Sequence, residues 1–166
     1  YINYHFNYFK KSYEKLIINK YCKKLLGLNF VILRDFKLKK LTKKNSLSIF
    51  FYTGGADKNM KMLELIKIMK NKNFDKFKKI FLLNKNHFKN KYLINSLKNM
   101  ANFKVFKHKI NNFHNILRSC DLTISSGGVT MYEQILLRPN PVIFPQNLDQ
   151  LKNAIPLTKA KVITLI

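Results

Sequence analysis

Two glycine pairs mark the places where this chain could do chemistry. Gly54 and Gly55 lie in Thr53-Gly54-Gly55-Ala56-Asp57, directly after an apolar run. Gly127 and Gly128 lie in Ser125-Ser126-Gly127-Gly128-Val129-Thr130, after a second such run. Lacking Cβ atoms, these residues let main chain come close to a ligand. The second pair opens a segment of helical period, so the free N–H groups of its first turn and the positive end of its dipole can face an anion. Ser126 and Thr130 add hydroxyls there. Glu133 follows Thr130 by one turn on the same helix face. A carboxylate in that position repels a phosphate but suits a sugar diol, since it accepts two O–H donors. Its plainer role is a first-turn acid that complements the dipole, and the plainer role of Gly54-Gly55 is a turn.

A third polar group, Gln146, Asn147, Asp149, Gln150 and Asn153, crowds the exit of the run Pro141 to Pro145. Such side chains can read sugar hydroxyls or can cap the next helix. No nucleophile stands beside a base. The four histidines, His5, His87, His108 and His114, are scattered without metal-ligand spacing and read as surface residues. Neither GxxxxGK[ST] nor GxGxxG occurs, which argues against a P-loop nucleotidase and an ordinary dinucleotide-binding fold. These residues describe half of a binding site.

The elements that must position them alternate. Apolar runs at 47–53, 79–84, 103–108, 121–125, 141–145 and 162–166 read as strands. Segments of helical period at 59–70, 91–100, 112–119, 129–137 and 151–159 separate them. That order predicts an α/β fold, a Rossmann-like doubly wound parallel sheet with helices on both faces. Its ligand site belongs beyond the carboxyl ends of the strands, where both glycine pairs fall. Residues 1–36 differ: one amphipathic helical stretch from about Tyr8 to Leu26, then an extended segment 27–36. A lysine-rich connection follows at 37–46. We expect residues 1–36 to be the tail of a preceding lobe with its interlobe segment, 37–46 a basic linker, and 47–166 the ligand-binding lobe, incomplete at its end.

With 166 residues and 46% hydrophobic content, the chain can bury a real core and is not a disordered one. A net charge of +24 would ordinarily point to nucleic acid. Here 29 lysines stand against 3 arginines, whereas base readout and phosphate clamping favour the arginine fork. Asn, Ile, Phe and Tyr abound as well, and all share A/T-rich codons, so base bias in the gene is the simpler source of the lysines. No lysine occurs from Asn111 through Leu151. We therefore expect no specific nucleic-acid partner, and peripheral attraction to an acidic membrane as the lesser alternative. Cys22 and Cys120 read as buried thiols of a reducing cytoplasm. No run approaches the roughly 18 apolar residues of a membrane span; the first 24 residues alternate aromatics and lysines, so no signal peptide is expected there, and the lack of an initiating Met leads us to expect a fragment.

Three segments carry a resemblance to a known family: LLGLNFVILRDF (25–36), FFYTGGAD (50–57) and DLTISSGGVTMYEQ (121–134). Together they resemble the C-terminal lobe of GT-B enzymes, especially the UDP-sugar hydrolase of pseudaminic acid biosynthesis and its relatives in spore-coat and surface polysaccharide pathways. More distantly, they are similar to family 28 glycosyltransferases that add N-acetylglucosamine to the peptidoglycan lipid precursor. The resemblance runs from about Lys24 to Ile166. It implies that Gly54 and Gly55 border the phosphates of a UDP-sugar. Ser126, Gly127, Gly128, Val129 and Thr130 would donate to the pyrophosphate, Glu133 would hold the ribose hydroxyls, the backbone of Ile110 would contact uracil, and Gln146, Gln150 and Asn153 would face the sugar. No metal and no cofactor are implied. The family's catalytic histidine belongs to an N-terminal lobe that these residues do not include, so catalysis is expected there and the chain alone is expected to be inactive. The implied function is the nucleotide-sugar half of a cytoplasmic UDP-sugar hydrolase. Hexosyl transfer by a family 28 type enzyme is the alternative, and a basic nucleic-acid or membrane module the second.

Overall fold

The computed structural model describes residues 2–3, 21–23, 25–35, 37, 40, 47–107, 110–137 and 141–166. Most of the expected 8–26 helix and of the 37–46 linker, together with His5 and His108, lies outside these residues. Where the end of that helix is described, Leu25–Leu26 is instead a short strand (β2) paired in parallel with Ile2–Asn3 (β1). Within the 27–36 segment, Leu28–Phe30 forms a 3-10 turn.

Six parallel strands build the main sheet: β3 (Ser48–Tyr52), β4 (Lys78–Leu83), β5 (Phe103–Lys107), β6 (Leu122–Ser125), β7 (Val142–Ile143) and β8 (Thr164–Leu165). Their spatial order is β5-β4-β3-β6-β7-β8. The chain winds outward from β3 in one direction, then returns beside β3 and winds outward in the other. The order therefore reverses between β3 and β6, whose register pairs Tyr52 with Ser125. Crevices of this kind, at the carboxyl ends flanking a reversal, are where open α/β sheets bind ligands.

Side-chain alternation decides which face each helix covers. On β3, Ile49 and Phe51 point into a core shared with Met62, Leu65, Ile66 and Met69 of α1 (Lys61–Met69) and with Leu93 and Leu97 of α3 (Lys91–Leu97). Phe50 and Tyr52 point the opposite way, into a core with Phe113 and Leu117 of α4 (Phe113–Ser119). Phe51 stacks on Phe81 at 4.7 Å between ring centres, and Phe113 meets Phe50 edge-on at 5.8 Å. A third core joins Met131 and Tyr132 of α5 (Val129–Leu137) to Ala154 and Leu157 of α6 (Leu148–Lys159), with Val31 and Leu33 packed against it.

Two local features depart from the sequence expectation. A short helix, α2 (Lys85–Lys89), precedes α3, because Asn84 and His87 form a reciprocal capping box at its start. Helix α6 begins three residues before 151, because the Asn147 side chain accepts from the Gln150 N–H and so nucleates the turn earlier. Cys120 is buried and Cys22 only half-buried. Among the described residues no helix is long and apolar enough to cross a membrane.

Candidate functional site

The two glycine loops meet at the reversal point. A Cβ placed on Gly54 would stand 3.3 Å from the Ser126 hydroxyl oxygen. Gly54 takes a φ of +83°, which favours glycine. Gly127 is constrained by packing, since a Cβ there would lie 3.0 Å from the Gln150 Cβ and 3.1 Å from its carbonyl oxygen. Gly55 and Gly128 are different: a Cβ at either position meets nothing within 4 Å. The fold does not require these two to be glycine. Each has open space where a side chain would stand.

The first loop is held by a buried carboxylate that the sequence reading passed over. Asp57 accepts from the Thr53 hydroxyl at 2.8 Å, from the N–H groups of Lys61 and Met62 at 2.8 and 2.9 Å, and from His87 Nε2 at 2.7 Å. His87 Nδ1 accepts from the Asn84 N–H, so Nε2 carries the proton given to Asp57. Burial pushes the Asp57 carboxyl up, yet the donors of His87, Met62, Thr53 and Lys61 hold it below its ordinary range. An Asp just ahead of a helix start was the available signal. His87, far from being a surface residue, is fully buried.

The second loop leads into α5. Gly127 N–H is already used by the Gln150 side-chain oxygen at 3.1 Å, and Ser126 N–H by the Tyr52 carbonyl at 3.2 Å. Among the described residues, the N–H groups of Gly128, Val129 and Thr130 have no hydrogen-bond acceptor, as expected for a helix start without a side-chain cap. Three donors thus stand at the positive dipole end of α5.

Glu133 lies one turn further on, with its side chain 1% exposed. Arg34 grips it with two bonds, Nε to Oε1 and Nη2 to Oε2, both 2.9 Å. His114 Nε2 lies 3.1 Å from Oε1. Burial pushes the Glu133 carboxyl up, but the Arg34 and His114 hydrogen bonds and their charges bring it below the usual carboxylate range. The same pairing raises Arg34. Its guanidinium also sits 4.8 Å over the Phe113 ring. Neither Arg34 nor His114 entered the sequence account as a partner of Glu133. Arg34 is 99 residues away in the chain, and His114 is buried rather than on the surface.

The amides at the β7 exit turn inward. Gln146 donates its side-chain N–H to the Thr53 carbonyl, and Gln150 Oε1 accepts from the Gln146 N–H at 2.9 Å as well as from Gly127. They stitch the crevice walls together. Asn153 is half-buried on α6, and Ile110 is packed against the core of Phe50 and Phe113. The structure therefore brings Gly54, Gly55, Ser126 to Thr130, Glu133, Gln146 and Gln150 to one end of the sheet, together with the unforeseen Arg34, Asp57, His87 and His114.

The fold recurs in solved structures. The spinosyn rhamnosyltransferase SpnG, solved in complex with thymidine diphosphate, superposes with a TM-score of 0.58 over 74% of this chain and 32% of its own, at 17% identity. The glycotransferase of kitacinnamycin gives 0.58 over 77% of this chain and 33% of its own, at 14% identity. Both are GT-B glycosyltransferases. The fold is GT-B glycosyltransferase-like. The chain spans about a third of the length of these neighbours. No protein-family model matches it, and no curated protein does.

Proposed function

We propose that this chain is the nucleotide-sugar-binding lobe of a glycosyltransferase that moves a hexosyl group from a UDP-sugar to an acceptor. The observation that carries the reading is the crevice at the strand-order reversal. Two glycines that the fold does not need lie there beside three N–H groups at the start of α5 that have no acceptor among the described residues, one turn from a buried carboxylate. An anion fits the first set and a diol the second, and a nucleoside diphosphate carries both. The N–H groups of Gly128, Val129 and Thr130 would stabilise the charge that builds on the diphosphate as the glycosidic bond breaks. Glu133 would fix the ribose.

In this reading residues 47–166 form the binding lobe. Residues 1–36 lead in from a partner lobe across the 37–46 linker, and that lobe supplies acceptor site and base in the cytoplasm. That SpnG was solved with thymidine diphosphate supports a diphosphate in this crevice. A second reading, hydrolysis of the same donor by water, rests on the resemblance of segment 25–36 to the hydrolases.

Titration calorimetry with UDP and thymidine diphosphate tests the binding claim. The ribose of UDP offers Glu133 two hydroxyls and the deoxyribose one, so UDP should bind roughly tenfold or more tighter, one lost charge-assisted hydrogen bond being worth about 1.5–3 kcal/mol. Equal affinity would remove the diol role, and no binding of either would remove the nucleotide reading. Binding that collapses with ionic strength and is not competed by UDP would favour the basic-module alternative.

A further inference from the structure

Residues 31–35 lie across the candidate site as a strap, and Lys37 continues it. Val31 and Leu33 insert into the core between α5 and α6, where an apolar cavity of about 350 Å³ is lined by these two residues with Tyr132, Ile135, Leu157 and Val162. Arg34 then reaches Glu133 with two bonds and covers the face of Phe113. At the far end Asn115 of α4 donates to the Lys37 carbonyl at 3.3 Å. Three independent anchors tie one segment to helices α4, α5 and α6.

The exposures on the two sides of the ion pair are unequal. The Arg34 side chain is 60% exposed and that of Glu133 1%. Three of the roughly four lone-pair sites of the carboxylate are taken, two by Arg34 and one by His114. A diol therefore cannot reach Glu133 while Arg34 is in place. Arg34 faces water on one side, but its departure leaves the buried Glu133 charge short of donors, so it needs a group that takes its place.

We propose that segment 31–35 is a displaceable strap that keeps the Glu133 carboxylate closed through Arg34, and that a ligand diol opens the site by taking Arg34's place. The proposal rests on the reading of Glu133 as the diol acceptor. It assigns regulation of that site to the segment that leads into the lobe: whatever moves residues 31–35 changes nucleotide affinity, and bound nucleotide loosens the strap. By linkage the two effects are equal in size.

Calorimetric titration of the whole chain with uridine and with UDP decides it, in wild type, Arg34→Met and Leu33→Ala. Uridine has the diol without a phosphate, so it separates competition for Glu133 from any contact of Arg34 with the anion. Removal of the competing guanidinium should tighten both ligands by about tenfold, the order of a hydrogen-bonded charge converted to affinity. Leu33→Ala loosens one apolar anchor and leaves Arg34 and Glu133 in place, and it should tighten both by a few-fold. Thermal melts establish that the variants are folded. If Arg34→Met does not fold, Leu33→Ala decides. Wild-type binding that neither variant improves overturns the strap and leaves the nucleotide site standing. Weaker UDP with unchanged uridine in Arg34→Met also overturns it, since Arg34 would then contact phosphate. Absence of binding in all three proteins overturns the nucleotide reading, and the strap with it.

Discussion

Gly54 and Gly55 are adjacent, yet alanine should act on them with opposite sign. At Gly54 an alanine must hold a left-handed φ, which costs about 1–2 kcal/mol, and its methyl must displace the Ser126 hydroxyl that lies 3.3 Å from the Cβ position. Against this, the loss of unfolded-state freedom returns about 0.4–1 kcal/mol. The net is a destabilisation of roughly 0.5–1.5 kcal/mol. At Gly55 no left-handed angle is needed and no atom stands within 4 Å. Only the unfolded-state effect remains there, a stabilisation of about 0.4–1 kcal/mol. For a chain of this length each kcal/mol moves the melting temperature by roughly 2–4 °C. Differential scanning calorimetry should therefore show Gly54→Ala melting about 1–6 °C below wild type and Gly55→Ala about 1–4 °C above it. The second variant carries the functional content. In the proposed site its methyl would enter the diphosphate's space, so UDP affinity should fall about tenfold, the effect of overpacking a filled site by roughly 1–3 kcal/mol. Melting shifts of one sign would refute the account of the loop. A more stable Gly55→Ala that binds UDP like wild type would return the pair to a plain turn.

Three other outcomes follow from the site. Glu133→Ala should weaken UDP binding by roughly tenfold or more, as expected for a charge-assisted contact; calorimetry that finds no change would leave Glu133 a structural partner of Arg34. His87→Ala should destabilise the fold by about 1–3 kcal/mol, because Asp57 loses its buried donor and the Asn84 N–H its acceptor; an unshifted urea midpoint would contradict this. Glu133 and Asp57 both have folded-state values below their unfolded ones. The folded state thus binds fewer protons in that window, and their stabilisation is complete above roughly pH 4.3 for Glu and 3.9 for Asp and is lost as the pH falls through the folded values. Urea unfolding between pH 7 and pH 3 should show that decline, which Arg34→Met should make shallower. A flat profile would rule the ion pair out as a source of acid lability.

What could be read from the sequence was local. Runs such as Ile49-Phe50-Phe51 and Ile80-Phe81-Leu82 announce strands buried on both faces, and glycine loops between strand and helix announce neighbours at one end of the sheet, where Gly54 and Ser126 do adjoin. What stayed hidden was pairing at a distance. Nothing beside Arg34 marks it as the partner of Glu133. Nothing beside His87 or His114 reveals burial, because a lone histidine looks the same on a surface as in a core. The inward turn of Gln146 and Gln150 was equally silent. An amide at a strand exit can serve a ligand or a neighbouring loop, and only the packing of α6 against Gly127 decides between them.

The stitched walls of the crevice have a thermodynamic consequence. Asn84 donates to the Gly54 carbonyl, Gln146 to the Thr53 carbonyl, Asn59 to the Gln146 carbonyl, and Gln150 receives both Gly127 and Gln146. Side chains from the exits of β4, β7 and the first loop itself thus fix glycine-rich main chain that would otherwise be among the most mobile parts of the molecule. The ordering entropy of these loops is lost during folding and not when a ligand arrives, which is the condition for preorganised binding. The heat-capacity change of nucleotide binding should then match the apolar area the ligand covers, with no added contribution from loops that fold around it. Any excess would have to come from the 31–35 segment, which Arg34, Val31 and Leu33 hold against α4, α5 and α6.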